Sequence, residues 1–174
     1  CATFKDFREL LARPDIDAVM ISTPDHWHVP MALAAVRSGK DVALEKPITR
    51  YIDEGRRLAN EVAQHRRVFR VDSEFRSLEP MRRAAELVRN GRLGKLRVIR
   101  SGSPGEMFPA ESEAVTPAPA ELDYDLWLGP APKRPFNPNR FHWNYIYFWD
   151  YAGGMMTGWG VHHVDVVHWA LGQD

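Results

Sequence analysis

Residues 41–50 read DVALEKPITR. Val42, Ala43 and Leu44 form an apolar run of strand character, which finishes on an acid, a base and a proline: Glu45, Lys46, Pro47. Proline fixes φ and removes a ladder donor, so strand pairing stops there and the chain turns. Lys46 is thereby set on a rigid corner. A lysine at the rim of a cleft, partly desolvated, can take part in proton transfer. Spacing alone leaves a second reading, a surface ion pair bordering a turn, and favours it because such pairs are common.

Upstream, DAVMIST (17–23) is another apolar run, ending on Ser22, Thr23 and Pro24. Its composition predicts a strand buried on both faces, as in a parallel sheet. Between the two runs, VPMALAAVRSG (29–39) predicts a helix stopped at Gly39, and FRELLA (7–12) predicts the end of an earlier one. Downstream, Leu58, Ala59, Val62 and Ala63 recur at helical spacing from Tyr51 to Arg66, and VFRVDS (68–73) reads as a third strand. Strand, helix, strand, helix, strand gives βαβαβ, an α/β fold with a parallel Rossmann-type sheet and right-handed crossovers. Such sheets bind ligands at the carboxyl ends of their strands. Three strand ends are polar here: Ser22-Thr23-Pro24, Glu45-Lys46-Pro47 and Asp72-Ser73-Glu74.

After residue 74 the pattern changes. Met81, Ala84, Ala85 and Val88 predict an amphipathic helix closed by Asn90-Gly91. KLRVIRSG (95–102) alternates like a half-buried strand of a different sheet, and residues 103–120, rich in Pro, Ala and Glu, read as a loop. The expected division is 1–74, part of a dinucleotide-binding domain, and 75–174, an incomplete α+β domain with a mixed or antiparallel sheet. The first residue is Cys1, and HWALGQD closes the chain just after a helix. The expectation is a piece cut at both ends, with any targeting signal upstream and the location therefore open.

Of 174 residues, 44% are hydrophobic and 26% charged, enough for a sizeable core. Lys plus Arg and Asp plus Glu both number 23, so charge gives no reason to expect nucleic acid or an anionic membrane as partner. The single cysteine excludes an internal disulfide framework.

A second cluster is AGGMMTGWGVHHVD (152–165). With a helix beginning near Thr157, His162, Asp165, Val166 and Trp169 share one face. His162 would stand beside a glycine-rich turn that leaves room for a substrate, where a neutral imidazole can accept a proton from an alcohol. The alternative is structural: His162 only hydrogen-bonds Asp165 and sits on a packed helix. His162, His163, Asp165 and His168 lack an HxxxH pair, so no metal is expected. RFHWNYIYFWDY (140–151) carries seven aromatic residues. On a strand, Trp143, Tyr145, Tyr147 and Trp149 would share a face able to stack on a sugar ring, with core packing as the default for most of these rings.

Taken in order, DIDAVMISTPDHWH, GKDVALEKPIT, AAELVRNGRLGKL, LDYDLWLGPAP and GGMMTGWGVHHVDVVHWALG resemble the Gfo/Idh/MocA oxidoreductases, along nearly the whole chain. The resemblance implies an enzyme that uses NAD or NADP to move a hydride to or from a sugar, inositol or related polyol. It implies that Ser22, Thr23, Pro24 and His28 border the cofactor and that Glu45 and Lys46 contact the nicotinamide ribose. It further implies that Lys46 reaches the reacting oxygen and that Arg76 lies near the cofactor. His162 matches the acid/base position and Asp165 the acid that follows it; Trp143 joins Lys46, His162 and Asp165 as the expected substrate contacts. Self-association of the full-length protein is also implied.

The chain departs from the family pattern twice. It contains no G-x-G-x-x-G turn, which in the family lies upstream of the position of Cys1, so the pyrophosphate site is expected outside this chain. The family usually has an aspartate four residues before the histidine, and here that position is Gly158. Two rival readings follow. One is an NAD-dependent glycosidase without net redox change; the other is a catalytically impaired sugar-binding relative.

Overall fold

The computed structural model describes residues 2–102 and 115–173. Its centre is a three-stranded parallel sheet of β1 (Ala18–Ile21), β2 (Asp41–Leu44) and β3 (Phe69–Val71), in the order β1-β2-β3. The register sets Val19 beside Val42 and Phe69, and Ile21 beside Leu44 and Val71. Because side chains alternate along a strand, these six form one apolar face. Against it pack α1 (Phe7–Leu11), α2 (Asp25–Arg37) and α3 (Ile52–His65), and the core gathers Ile21, Leu33, Val36, Val42, Leu44 and Leu58.

The opposite face of the sheet differs from expectation. Met20 is 67% exposed, and Ala18, Ala43 and Arg70 lie along the same open groove. β1 was expected to be buried on both faces; among the described residues, helices cover one face only. α2 also begins earlier than its composition suggests, directly after Pro24 and with Pro30 inside. Pro24 carries the fixed φ suited to a helix start, and the Trp27 N–H donates to the Pro24 carbonyl at 2.9 Å. α3 and β3 fall where the sequence places them, and α3 ends on Arg66 in the left-handed region (φ 52°).

Beyond β3, a 3-10 turn (Glu74–Ser77) leads into α4 (Glu79–Arg89). Residues 95–102 form no strand, correcting the alternation reading, and Val98 and Ile99 are exposed. An extended segment needs a partner for its backbone groups, and none of the described residues supplies one. No sheet is formed among the described residues of 75–174. Most of the segment expected as a loop at 103–120 lies outside the described residues.

After α5 (Tyr124–Leu128), the aromatic stretch folds as 3-10 turns at Pro138–Arg140 and His142–Tyr147. The strand considered for it is therefore replaced by local turns. Their backbone bonds close within the segment, as in Asn144 N–H to Phe141 O at 3.2 Å and Phe148 N–H to Tyr145 O at 3.1 Å. The rings instead pack around Trp127, with Phe141 at 5.2 Å and Tyr151 at 4.8 Å between centroids. A π-helical turn (Met156–Gly160) then feeds α6 (Val161–Leu171), which packs on α4 and on the Glu74–Ser77 turn.

Candidate active site

Lys46 stands on the corner after β2, and its Nζ donates to the carbonyl oxygen of Gly158 at 2.9 Å. Gly158 lies in the π-helical turn that opens α6. One contact thus joins the sheet's carboxyl end to the turn that leads into the helix of His162. The ammonium also lies 5.9 Å from the Trp159 ring centroid. A Cβ at Gly158 would meet nothing within 4 Å, so the turn has room at that position.

His162 is 3% exposed. Its ring stacks on Phe75 at 4.6 Å and 18°, and Nε2 lies 3.8 Å from Glu74 Oε1. Among the described residues the ring makes no hydrogen bond. Burial first, then the Lys46 ammonium, hold the imidazole below the usual histidine range, with Glu74 opposing them. His162 therefore favours the neutral form, able to accept a proton.

Asp165 is not His162's partner. Both of its oxygens accept from the Arg76 guanidinium, at 2.7 and 2.8 Å, so the hydrogen bond between His162 and Asp165 is corrected, while His162 does sit on a packed helix. Phe75 is wedged beside His162 and His163, while Arg76 grips α6 one turn further on. This seats the Glu74–Ser77 turn against the helix. Between the corner after β2 and α6 runs a groove of about 420 Å³ lined by Pro47, Ile48, Thr49, Val161, Asp165 and others. Lys46 and His162 are not among its lining residues.

His28 is buried, its ring bridging the carbonyl oxygens of Pro47 (Nδ1, 2.7 Å) and Thr23 (Nε2, 2.9 Å). It ties the β1 and β2 end loops together beneath their rim. Beside it Asp25 is buried and accepts from the Tyr145 hydroxyl at 3.2 Å. Burial raises this carboxyl above the usual range, and burial with Asp25 raises the Tyr145 phenol. His26 and Trp27 reach across to α5: His26 Nε2 lies 2.9 Å from Trp127 O, and the Trp27 indole donates to Leu126 O at 3.0 Å. Arg50 donates to Asp150 O at 2.8 Å and to Trp149 O.

Lys46 thus reaches the turn that leads into the helix of His162 and acts electrostatically on that ring, Glu74 contacts the ring itself, and Arg76 and Asp165 pair with each other. Trp143 is 62% exposed and makes no hydrogen bond or ring contact among the described residues, so the structure does not bring it to the pair. No group of three or more metal-binding side chains forms among the described residues. No helix there is long and apolar enough to cross a membrane. Glu74 and Trp159 were not singled out in the sequence. Glu74 sits in the third polar strand end, and that position was its only signal.

A nicotinamide dinucleotide fits the donor set at these strand ends. Thr23 Oγ1, after β1, is buried without a hydrogen-bond partner among the described residues. Glu45, after β2, offers carboxylate oxygens of the kind that accept from ribose hydroxyls.

Comparison with known proteins agrees with this frame. Residues 1–73 match the model of an oxidoreductase family's NAD-binding Rossmann fold, and residues 104–174 match that of its C-terminal alpha/beta domain. An uncharacterized oxidoreductase of Synechocystis sp. is 30% identical over 170 residues, 98% of this chain and 38% of the relative. A glycosyl hydrolase family 109 protein of Solibacter usitatus is 50% identical over 54 residues, 31% of this chain and 12% of the relative. The scyllo-inositol dehydrogenase of Lactobacillus casei, solved with NAD(H) and scyllo-inositol, aligns at 26% identity with a TM-score of 0.63. That alignment covers 96% of this chain and 41% of the dehydrogenase. The chain spans well under half the length of these relatives.

Proposed function

The chain belongs to the Gfo/Idh/MocA oxidoreductase family, and from that premise we propose that it carries the acid–base centre of an NAD(P)-dependent dehydrogenase of a sugar, inositol or related polyol. The observation that supports this reading is the Lys46 Nζ contact with Gly158 O, four residues before His162, since burial and the nearby ammonium both lower the proton affinity of that imidazole. In this reading His162 takes the proton of the substrate hydroxyl, and Lys46 stabilises the negative charge that develops on that oxygen. A bound nicotinamide dinucleotide supplies the hydride acceptor or donor. Ser22, Thr23 and Pro24 border it, Glu45 accepts from the nicotinamide ribose, and His28 holds the two loops in register. Arg76 and Asp165 act by fixing α6 against the Glu74–Ser77 turn. The division of the chain near residue 74 is part of the same proposal.

The test is NADH or NADPH absorbance when the full-length protein meets NAD+ or NADP+ and a panel of inositols and hexoses. Lys46→Met and His162→Asn are each expected to lower kcat by about 100-fold or more. Unchanged turnover in either variant would contradict the assignment. A second reading, a glycosidase that returns its hydride, is favoured by the 50% identity to the family 109 relative. Release of free sugar without net NADH would support it over the first.

A further inference from the structure

His162 poses a problem that the dehydrogenase reading does not solve. Its ring is 3% exposed, so a proton received there meets little water directly and leaves more readily through a neighbouring group. We propose that Glu74 is the group through which His162 exchanges its proton with solvent.

The geometry is built rather than incidental. Phe75 stacks on His162, and two residues on from Glu74 Arg76 holds both oxygens of Asp165, one turn along α6. These contacts fix the 3-10 turn on both sides of the ring and leave Glu74 Oε1 3.8 Å from His162 Nε2. The Glu74 side chain is 60% exposed. It therefore touches bulk water at one end and the buried imidazole at the other. Among the described residues, the charged and titratable groups acting on His162 are Lys46 and Glu45 from the β2 corner, Glu74 from the turn and His163 from α6 itself. Of these, the two carboxylates favour the protonated ring, and only Glu74 forms an ion-pair contact with it.

The proposal rests on the dehydrogenase reading and adds the fate of the proton. The substrate O–H bond breaks as an N–H bond forms at His162, giving the imidazolium. The proton on Nε2, the nitrogen that faces Glu74, then leaves as the pair closes from 3.8 Å to hydrogen-bond distance and a Glu74 carboxyl O–H forms, and the carboxyl releases the proton to water. In the reducing direction the same steps run backward. Glu74 acts through His162, so its role is relay and positioning.

The experiment has two arms. The first is an NMR titration of the His162 ring in the full-length protein, assigned with His162→Gln. In Glu74→Gln, His162 is expected to titrate at lower pH than in the unaltered chain, and Glu74→Asp is expected to recover part of the difference. An unchanged titration in Glu74→Gln overturns the proposal. The second arm is steady-state kinetics of the full-length protein. Glu74→Gln is expected to lower kcat on the order of 10-fold with KM little changed, and added imidazole buffer is expected to restore part of the loss. NADH formation with the same kcat in Glu74→Gln overturns the relay alone. No NADH from the unaltered protein on any polyol overturns the dehydrogenase reading and the relay with it, while the titration result still reports the contact.

Discussion

The two halves of the chain are held together by different means. Residues up to β3 form a parallel sheet with three helices on one face, stabilised by a shared apolar core around Leu44, Leu58 and Val36. Residues after β3 form short turns and helices with a smaller core around Leu128, Ala131 and Tyr151. The second half is seated on the first by polar contacts (Lys46 to Gly158, Arg50 to Trp149 and Asp150, Asp25 to Tyr145, His26 and Trp27 to α5) and by the packing of the His26 and Trp27 rings against Trp127, Tyr151 and Gly129. A regular core sets Lys46, and the irregular region holds His162 against Phe75 while offering Gly158 O to the lysine. The lesson is that the stability of the first half and the geometry of the second can be perturbed separately.

The largest expected effect is in the first half. Leu44→Ala, at a position 1% exposed on the central strand, is expected to cost about 2–5 kcal/mol in urea unfolding. Leu128→Ala, in the smaller cluster, is expected to cost less; an equal or larger loss there would break the comparison. Next comes the join between the halves. Gly129 has φ +46°, and a Cβ there would come within 2.0 Å of the Trp27 ring. Gly129→Ala is therefore expected to destabilise by about 2–4 kcal/mol through overpacking and backbone strain. A neutral result by the same denaturation would mean that α5 does not dock on Trp27.

A smaller effect belongs to the seat of α6. Arg76 and Asp165 are partly exposed, at 34% and 23%, so Arg76→Gln is expected to lower global stability by only about 1 kcal/mol. Its local effect is larger: amide exchange in α6 should quicken while that of β2 stays slow. Equal quickening in both would show that the halves open as one.

Acidity separates the halves more gently. His26 and His162 are both held below the usual histidine value in the fold, burial being the first cause for each. In that window the unfolded chain binds more protons than the folded one, so stability rises with pH up to about 6.5 and falls on acidification below it. Asp25, raised by burial, has the opposite sign in a lower window above the usual carboxylate value. Thermal unfolding at a series of pH values should show the histidine slope, flattened in His26→Gln. An unchanged slope would contradict the buried state of that ring.

The first half was legible because buried parallel strands and amphipathic helices leave periodic signals. Val42 to Leu44 and Leu58 to Val62 read directly from spacing, and Lys46 was found because a proline marks the strand's end. β1 misled because an apolar run does not say which faces find cover. In the second half, the signals were ambiguous for a physical reason. Alternation in KLRVIRSG specifies a strand only where a neighbour can pair, and rings in RFHWNYIYFWDY satisfy one another as well in turns as on a sheet. His162 was visible through its glycine-rich approach. Glu74 was not, because its importance lies in a contact 88 positions away in the chain that no local pattern encodes.

The central claim is that Lys46 and His162, drawn from the two halves, act on one another in a single site. It is tested most directly by titrating the His162 ring by NMR in Lys46→Met. Removing the ammonium is predicted to move the titration to higher pH, opposite in sign to the effect of Glu74→Gln. A ring that titrates at the same pH with and without the Lys46 charge would contradict the account.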